Sequence, residues 1–143
     1  MGGVNQRGTI KGCVVNGNVT SENSPTGGIA GSGADSSIIA CAVTGDVTTS
    51  ATSATVGGIV STIANTSIDA CYYSGEVQTG EYGRVNNYGT EVDSWTDAEI
   101  KDMNTYLTDC EYEFALNKEK QPVLEKKGSA EQAVNRLLGH FWG

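Results

Sequence analysis

The chain has 143 residues, enough for one domain with a buried core. Its 9 Lys and Arg against 17 Asp and Glu leave a net charge of −8. That balance excludes the clustered cations that a nucleic acid or an anionic membrane surface requires, and no stretch approaches the ~20 apolar residues of a membrane-spanning helix. Only 38% of the residues are apolar, and the composition divides near residue 80. Residues 1–80 hold 14 of the 19 Gly, 7 charged residues and 2 aromatics; residues 81–143 hold 5 Gly, 19 charged residues and 8 aromatics.

The start, Met1-Gly2-Gly3-Val4, has no basic region followed by an apolar run, so it is not a secretory signal. It opens inside what reads as a motif, and a fragment of a longer protein is expected. A repeat then runs through the first half. The pattern I-x-x-C-x-[VY]-x-G-x-V occurs at Ile10, Cys13, Val15, Gly17 and Val19, again at Ile38, Cys41, Val43, Gly45 and Val47, and again at Ile68, Cys71, Tyr73, Gly75 and Val77. A Gly-Gly-aliphatic block precedes each copy: Gly2-Gly3-Val4, Gly27-Gly28-Ile29 and Gly57-Gly58-Ile59. Short β-type runs punctuated by Gly, with no 3.6-residue period, cannot bury an apolar side alone. Stacked on their own copies they form a continuous inner column, so a short parallel β-solenoid of about three coils is expected over residues 1–80.

On this reading Gly17, Gly45 and Gly75 supply corners with positive φ, and the Gly-Gly pairs allow close backbone approach. The first copy reads as shortened, with a tighter spacer behind its Gly-Gly block. Ser/Thr-rich stretches (20–26, 48–55 and 65–67) are surface loops of varying length. Cys13, Cys41 and Cys71 stack as three buried thiols, because parallel Cβ vectors hold neighbouring rungs out of disulfide geometry. Four Cys at wide spacing and a single His offer no zinc pattern, and no cofactor or catalytic residue is assigned.

These residues resemble the GLUG-type repeat, whose pattern is roughly G-G-[ILV]-[AV]-G, a spacer, then I-x-N-C-[YS]-x-x-G-x-V. Residues 27–47 and 57–77 carry it, and residues 2–19 carry the shortened copy. Ser61 stands at the block's closing Gly, and Gly12, Ala40 and Ala70 stand where the family has Asn before Cys. The resemblance implies a non-catalytic repeat of large exported bacterial proteins, extracellular or on the cell surface, as found near immunoglobulin A peptidases and in gut-bacterial adhesin-like proteins.

Residues 81–93 read as a decaying partial coil. Thr96 or Asp97 then caps an amphipathic helix reaching about residue 108, with Ile100, Met103, Asn104 and Leu107 on one face. Two strand-like runs, 112–116 and 121–125, form a hairpin with Pro122 on its edge. This helix and hairpin, with Trp95, Tyr106 and Phe114, are expected to cap the open solenoid end, giving a cap over residues 81–127. GLUG-type proteins often close with a segment ending Pro-Val-Leu, which Gln121–Leu124 resembles. Residues 128–143 follow Gly128-Ser129 as an amphipathic terminal helix or a vector-derived tail. Its Leu137, Leu138, Phe141 and Trp142 would pack on the domain or dock a partner, a second copy included.

The expected function is a structural or adhesive module of an exported bacterial surface protein, with no nucleic-acid partner and no membrane insertion. A second reading is a glycan- or host-protein-binding module using Tyr72, Tyr82 and Tyr88, with Trp95 as a further stacking surface. A remote third is a fragment of a polysaccharide-processing enzyme, with Asp35, Asp46, Asp69 and Glu76 as candidate acids.

Overall fold

The computed structural model describes residues 2–22 and 24–128. It is mainly β, with one helix among the described residues. The first copy supplies β1 (Gly2–Gln6), β2 (Thr9–Lys11), β3 (Val14–Val15) and β4 (Val19–Ser21). The second supplies β5 (Thr26–Gly27), β6 (Ala30–Ala34), β7 (Ser37–Ile39), β8 (Ala42–Val43) and β9 (Val47–Thr49). The third supplies β10 (Thr55–Gly57), β11 (Val60–Ala64), β12 (Ser67–Asp69), β13 (Tyr72–Tyr73) and β14 (Val77–Gln78). A partial fourth adds β15 (Arg84–Asn86) and β16 (Thr90–Glu91). These strands form five parallel sheets, ordered β1-β6-β11, β5-β10-β15, β2-β7-β12, β3-β8-β13-β16 and β4-β9-β14.

The repeat and the register coincide. Ile10 lies opposite Ile38 and Ile38 opposite Ile68; Val15, Val43 and Tyr73 align, as do Val19, Val47 and Val77. Burial of one apolar side per rung is possible only against the next rung, about 4.8 Å away. The middle rung shows the result: Ile38, Cys41 and Val43 have no exposed surface, while Ile10, Cys13, Val15 and Val19 of the first rung are half-buried.

The step is 28 residues from the first copy to the second and 30 from the second to the third at these positions. The change falls between the pairs Ser21–Thr49 and Thr26–Val56, so it is confined to one loop, residues 22–25 against 50–55. The expected shortening of the first copy is corrected by this register. Gly2 lies opposite Ala30 and Val4 opposite Ser32, so Gly2-Gly3 faces Ala30-Gly31 rather than Gly27-Gly28. Consecutive glycines look alike in sequence, and only the backbone ladder separates the two alignments.

The corners are also placed differently. Arg7, Asp35 and Asn65 hold φ of 52°, 48° and 49°; Gly12, Ala40 and Ala70 hold 68°, 53° and 50°. Gly17, Gly45 and Gly75 do not adopt positive φ; proximity demands them instead. A Cβ on Gly45 would lie 2.1 Å from the Gly17 carbonyl oxygen, and one on Gly75 would lie 2.1 Å from that of Gly45. The Gly-Gly pairs do serve close approach, since a Cβ on Gly28 would meet the Gly58 oxygen at 2.4 Å.

Helix α1 (Asp97–Thr105) starts at Thr96, whose hydroxyl accepts from the Ala98 N–H while the Glu99 carboxylate returns to the Thr96 N–H. This capping box satisfies orphan donors of the first turn, and the Thr96 hydroxyl holds the Glu99 carboxyl below its ordinary range. The helix ends three residues short of the expected limit, with Tyr106 as C-cap. Strands β17 (Tyr112–Leu116) and β18 (Pro122–Lys126) pair antiparallel.

The helix and hairpin do not cover the end of the stack. They pack on its flank, where Trp95, Met103, Leu107 and Phe114 bury Ala40 and Ala42 and touch Val14, Ile39, Ala70 and Tyr72. These partners come from all three copies. Lys11 pairs with Asp109 at 3.3 Å beside the first copy, and the Tyr72 hydroxyl donates to Asp102 at 2.5 Å beside the third. The cause is the two-residue strands Val14–Val15, Ala42–Val43 and Tyr72–Tyr73. Successive side chains point to opposite faces, so an apolar pair makes both faces of that sheet apolar. Tyr106, expected in the cap, is 40% exposed. The far end of the inner column is met instead by the partial copy, where Tyr88 packs against the column and Gly89 lies against Ile59. The segment carrying Leu137, Leu138, Phe141 and Trp142 lies outside the described residues.

Candidate functional site

The three tyrosines named from sequence have three separate settings. Tyr72 projects outward from β13 but is claimed by the flank: its ring meets Trp95 edge-on at a centroid distance of 6.4 Å, and its hydroxyl bonds Asp102. Burial, then the hydrogen bond to the Asp102 carboxylate, raises its hydroxyl well above the usual tyrosine range. Tyr88 is half-buried against the inner column. Tyr82, between β14 and β15, is 75% exposed and is the one of the three that presents an open ring. Trp95 is 4% exposed, and its indole N–H donates to the Ser74 hydroxyl at 3.0 Å, so it offers no stacking face.

The candidate acids are used within the stack. Asn18 Oδ1 accepts from the Asp46 N–H, and Asp46 Oδ1 accepts from the Glu76 N–H, each at 2.9 Å. One rung's side chain thus binds the next rung's backbone. Asp35 Oδ1 accepts from Asn65 Nδ2 at 2.7 Å across the corresponding corner. Asp69 sits on β12 at another sheet. No nucleophile with a general base emerges from this set.

Four free thiols are present, and three align as the sequence suggested. Cys41 and Cys71 are buried; Cys13, on the first rung, is half-buried, a correction to the expectation of three buried thiols. The thiols of adjacent rungs interact. The Cys13 thiol is raised well above the ordinary thiol range, first by its hydrogen bond with Cys41 and then by burial. At Cys41 the bond with Cys13 pulls downward, but the bond with Cys71 and burial outweigh it and push the thiol up to about 12. Cys71 is drawn down by its bond with Cys41 against the effect of burial. Sulfur also reaches backbone oxygen, with Cys41 Sγ 3.3 Å from Ile39 O and Cys71 Sγ 3.4 Å from Ile38 O. Two of these thiols are therefore held protonated at neutral pH, as small buried groups rather than nucleophiles.

Sequence reasoning missed a shallow groove of about 670 Å³ where the flank meets the stack. Its floor carries Thr44, Ser74 and the edge of Trp95; its walls carry Asp93, Ser94, Asp97, Glu119, Lys120 and Gln121. Three carboxylates against one ammonium, with hydroxyls and an amide, suit a polar ligand rich in hydroxyl groups. Nothing in the sequence pairs residues 93–97 with 119–121 before the hairpin folds back, so no local signal marks this groove. Among the described residues no group of three or more His, Cys, Asp or Glu could hold a metal ion, and no helix is long and apolar enough to cross a membrane.

Comparison with known proteins adds no relative: no family model, no curated protein and no solved structure matches this chain.

Proposed function

We propose that this chain is a non-catalytic structural or adhesive module, built as a short parallel β-solenoid of the GLUG type and belonging to an exported bacterial surface protein. The observation that carries the reading is the identity of repeat and register: every recurring Ile, Cys, Gly and Val stands opposite its copy. The αL corners support it further. Gly12, Ala40 and Ala70 occupy the family's Asn position before Cys and have positive φ, the region that Asn and Gly favour. The polar side chains that could serve chemistry are instead consumed in rung-to-rung bonds, which suits a rigid spacer.

A glycan-binding role is the second reading, favoured by the polar groove and the exposed ring of Tyr82. Both readings are tested by probing the full chain on a glycan array, beside limited proteolysis. The structural role predicts silence on the array and a protease-resistant core covering residues 9–126. Sugar binding lost in Tyr82→Ala or Asp97→Asn would replace it with the glycan-binding role.

A further inference from the structure

The fourth rung is incomplete, and its gap lies within the chain. The step is 29 residues from Thr55 to Arg84 but only 18 from Tyr72 to Thr90, so the fourth rung omits 11 residues. Those are the residues that would have paired with β11 and β12. Both strands are accordingly the last in their sheets among the described residues. Ile63 and Ile68 are half-buried there, whereas Ile38, one rung back, has no exposed surface. One backbone group of this edge is already met by a side chain: Asn86 Nδ2 donates to the Ser61 oxygen at 2.6 Å. β11, Val60–Ala64, carries no charge and no Pro, the devices that usually guard an exposed edge.

The surrounding charge selects the occupant. The third and fourth rungs carry Asp69, Glu76, Glu81, Glu91 and Asp93 against Arg84. A second copy of a chain with net charge −8 is repelled from such an end. We propose that the β11–β12 edge is a strand-addition site for an extended peptide of another protein, lying parallel to β11. Its small and aliphatic residues would complete the column over Ile63 and Ile68, and a Lys or Arg would stand opposite Asp69. Main-chain bonds supply affinity and the alternating side chains supply selectivity.

The probe is a labelled 11-residue peptide with the order of residues 59–69 and Lys in place of the final Asp. Fluorescence anisotropy with the full chain should give micromolar binding that weakens with salt. A scrambled peptide should bind at least tenfold more weakly. Hydrogen exchange should slow at residues 60–69 and not elsewhere. Thr62→Lys, checked for unchanged circular dichroism, should reduce binding at least tenfold. Asp69→Lys should reverse the preference, so that the peptide ending in Asp binds better than the one ending in Lys. Equal binding of the scrambled peptide, no binding at all, or protection outside residues 60–69 would overturn the proposal. It would also fall if the same amides were protected without peptide, either in a dimer seen by light scattering or until residues 129–143 are deleted, since the occupant would then be a second copy or the chain's own tail.

Discussion

The inner column and the flank interface are both apolar and both well buried, yet they are built by opposite rules. The column uses Ile, Cys, Val and Gly at the same place in each copy, and each contact is made again one rung later. The flank uses Trp95, Met103, Leu107 and Phe114 once each, against a patchwork of Val14, Ala42 and Tyr72. Repetition tolerates no bulk, because a side chain added to one rung meets the backbone of the next. A single-use contact tolerates large aromatics, because only one partner must accommodate them. The low apolar content of residues 1–80 and the aromatic enrichment beyond follow from that division of labour.

Removing Phe114 should separate the two regions most sharply. Phe114→Ala empties a fully packed site, and its backbone is tied to Asn104 through two hydrogen bonds at 2.7 and 3.0 Å. We expect a loss of about 3–5 kcal/mol from the flank, read by denaturant unfolding. The Trp95 fluorescence transition should move to lower denaturant while the far-ultraviolet β signal stays behind. Transitions that remain superimposed would mean that flank and stack unfold as one unit.

The stack is broken from the other side by Gly45→Ala, whose new methyl would meet the Gly17 oxygen at 2.1 Å. The cost should be about 1–3 kcal/mol or more, seen as a lower thermal midpoint. Gly17→Ala is the internal control, because nothing lies within 4 Å of a Cβ there. Equal effects in the two variants would remove the argument from proximity.

Corner strain should give a smaller effect of opposite sign. Arg7 is exposed and holds φ of 52° in a column whose third member is Asn65. Arg7→Asn relieves that conformation and should stabilise by about 0.5–1 kcal/mol, measured as a rise in the thermal midpoint. The smallest effect belongs to pH. Tyr72 titrates above its unfolded value of about 10, so its contribution is complete below that pH and is lost as pH rises beyond it. Tyr73, raised by burial and then by Glu91, adds a loss of the same sign, as do the raised thiols of Cys13 and Cys41. Tyr72→Phe should make alkaline unfolding shallower without abolishing it, as followed by chemical denaturation between pH 8 and pH 11.

The repeated half of the fold was legible because periodicity is a statement about many residues at once. Ile10, Ile38 and Ile68 announce their own alignment, and the ladder agrees. Capping at Thr96 and the hairpin were legible for a different reason, since both are local in sequence. The flank was not. Its signal lay in Val14–Val15, Ala42–Val43 and Tyr72–Tyr73, where two adjacent apolar residues in so short a strand declare two apolar faces. Only the inward member of each pair had an obvious use in the repeat. Nor do Ala40 and Ala70 advertise a left-handed corner, which alanine adopts only where neighbouring rungs hold it. The groove combines segments more than twenty residues apart, and nothing but the folded hairpin joins them.

One feature of the stack bears on what else such a chain can carry. All of the length difference between the first and second steps is absorbed in residues 22–25 and 50–55, while every ladder on either side keeps its register. The corresponding turn of the third copy spans 79–83. Insertions at these turns cost little closure entropy, and they leave the rung spacing of about 4.8 Å untouched. Foreign loops placed at all three would emerge as a row with fixed spacing, so the stack has the properties of a ruler on which short sequences can be displayed at set intervals.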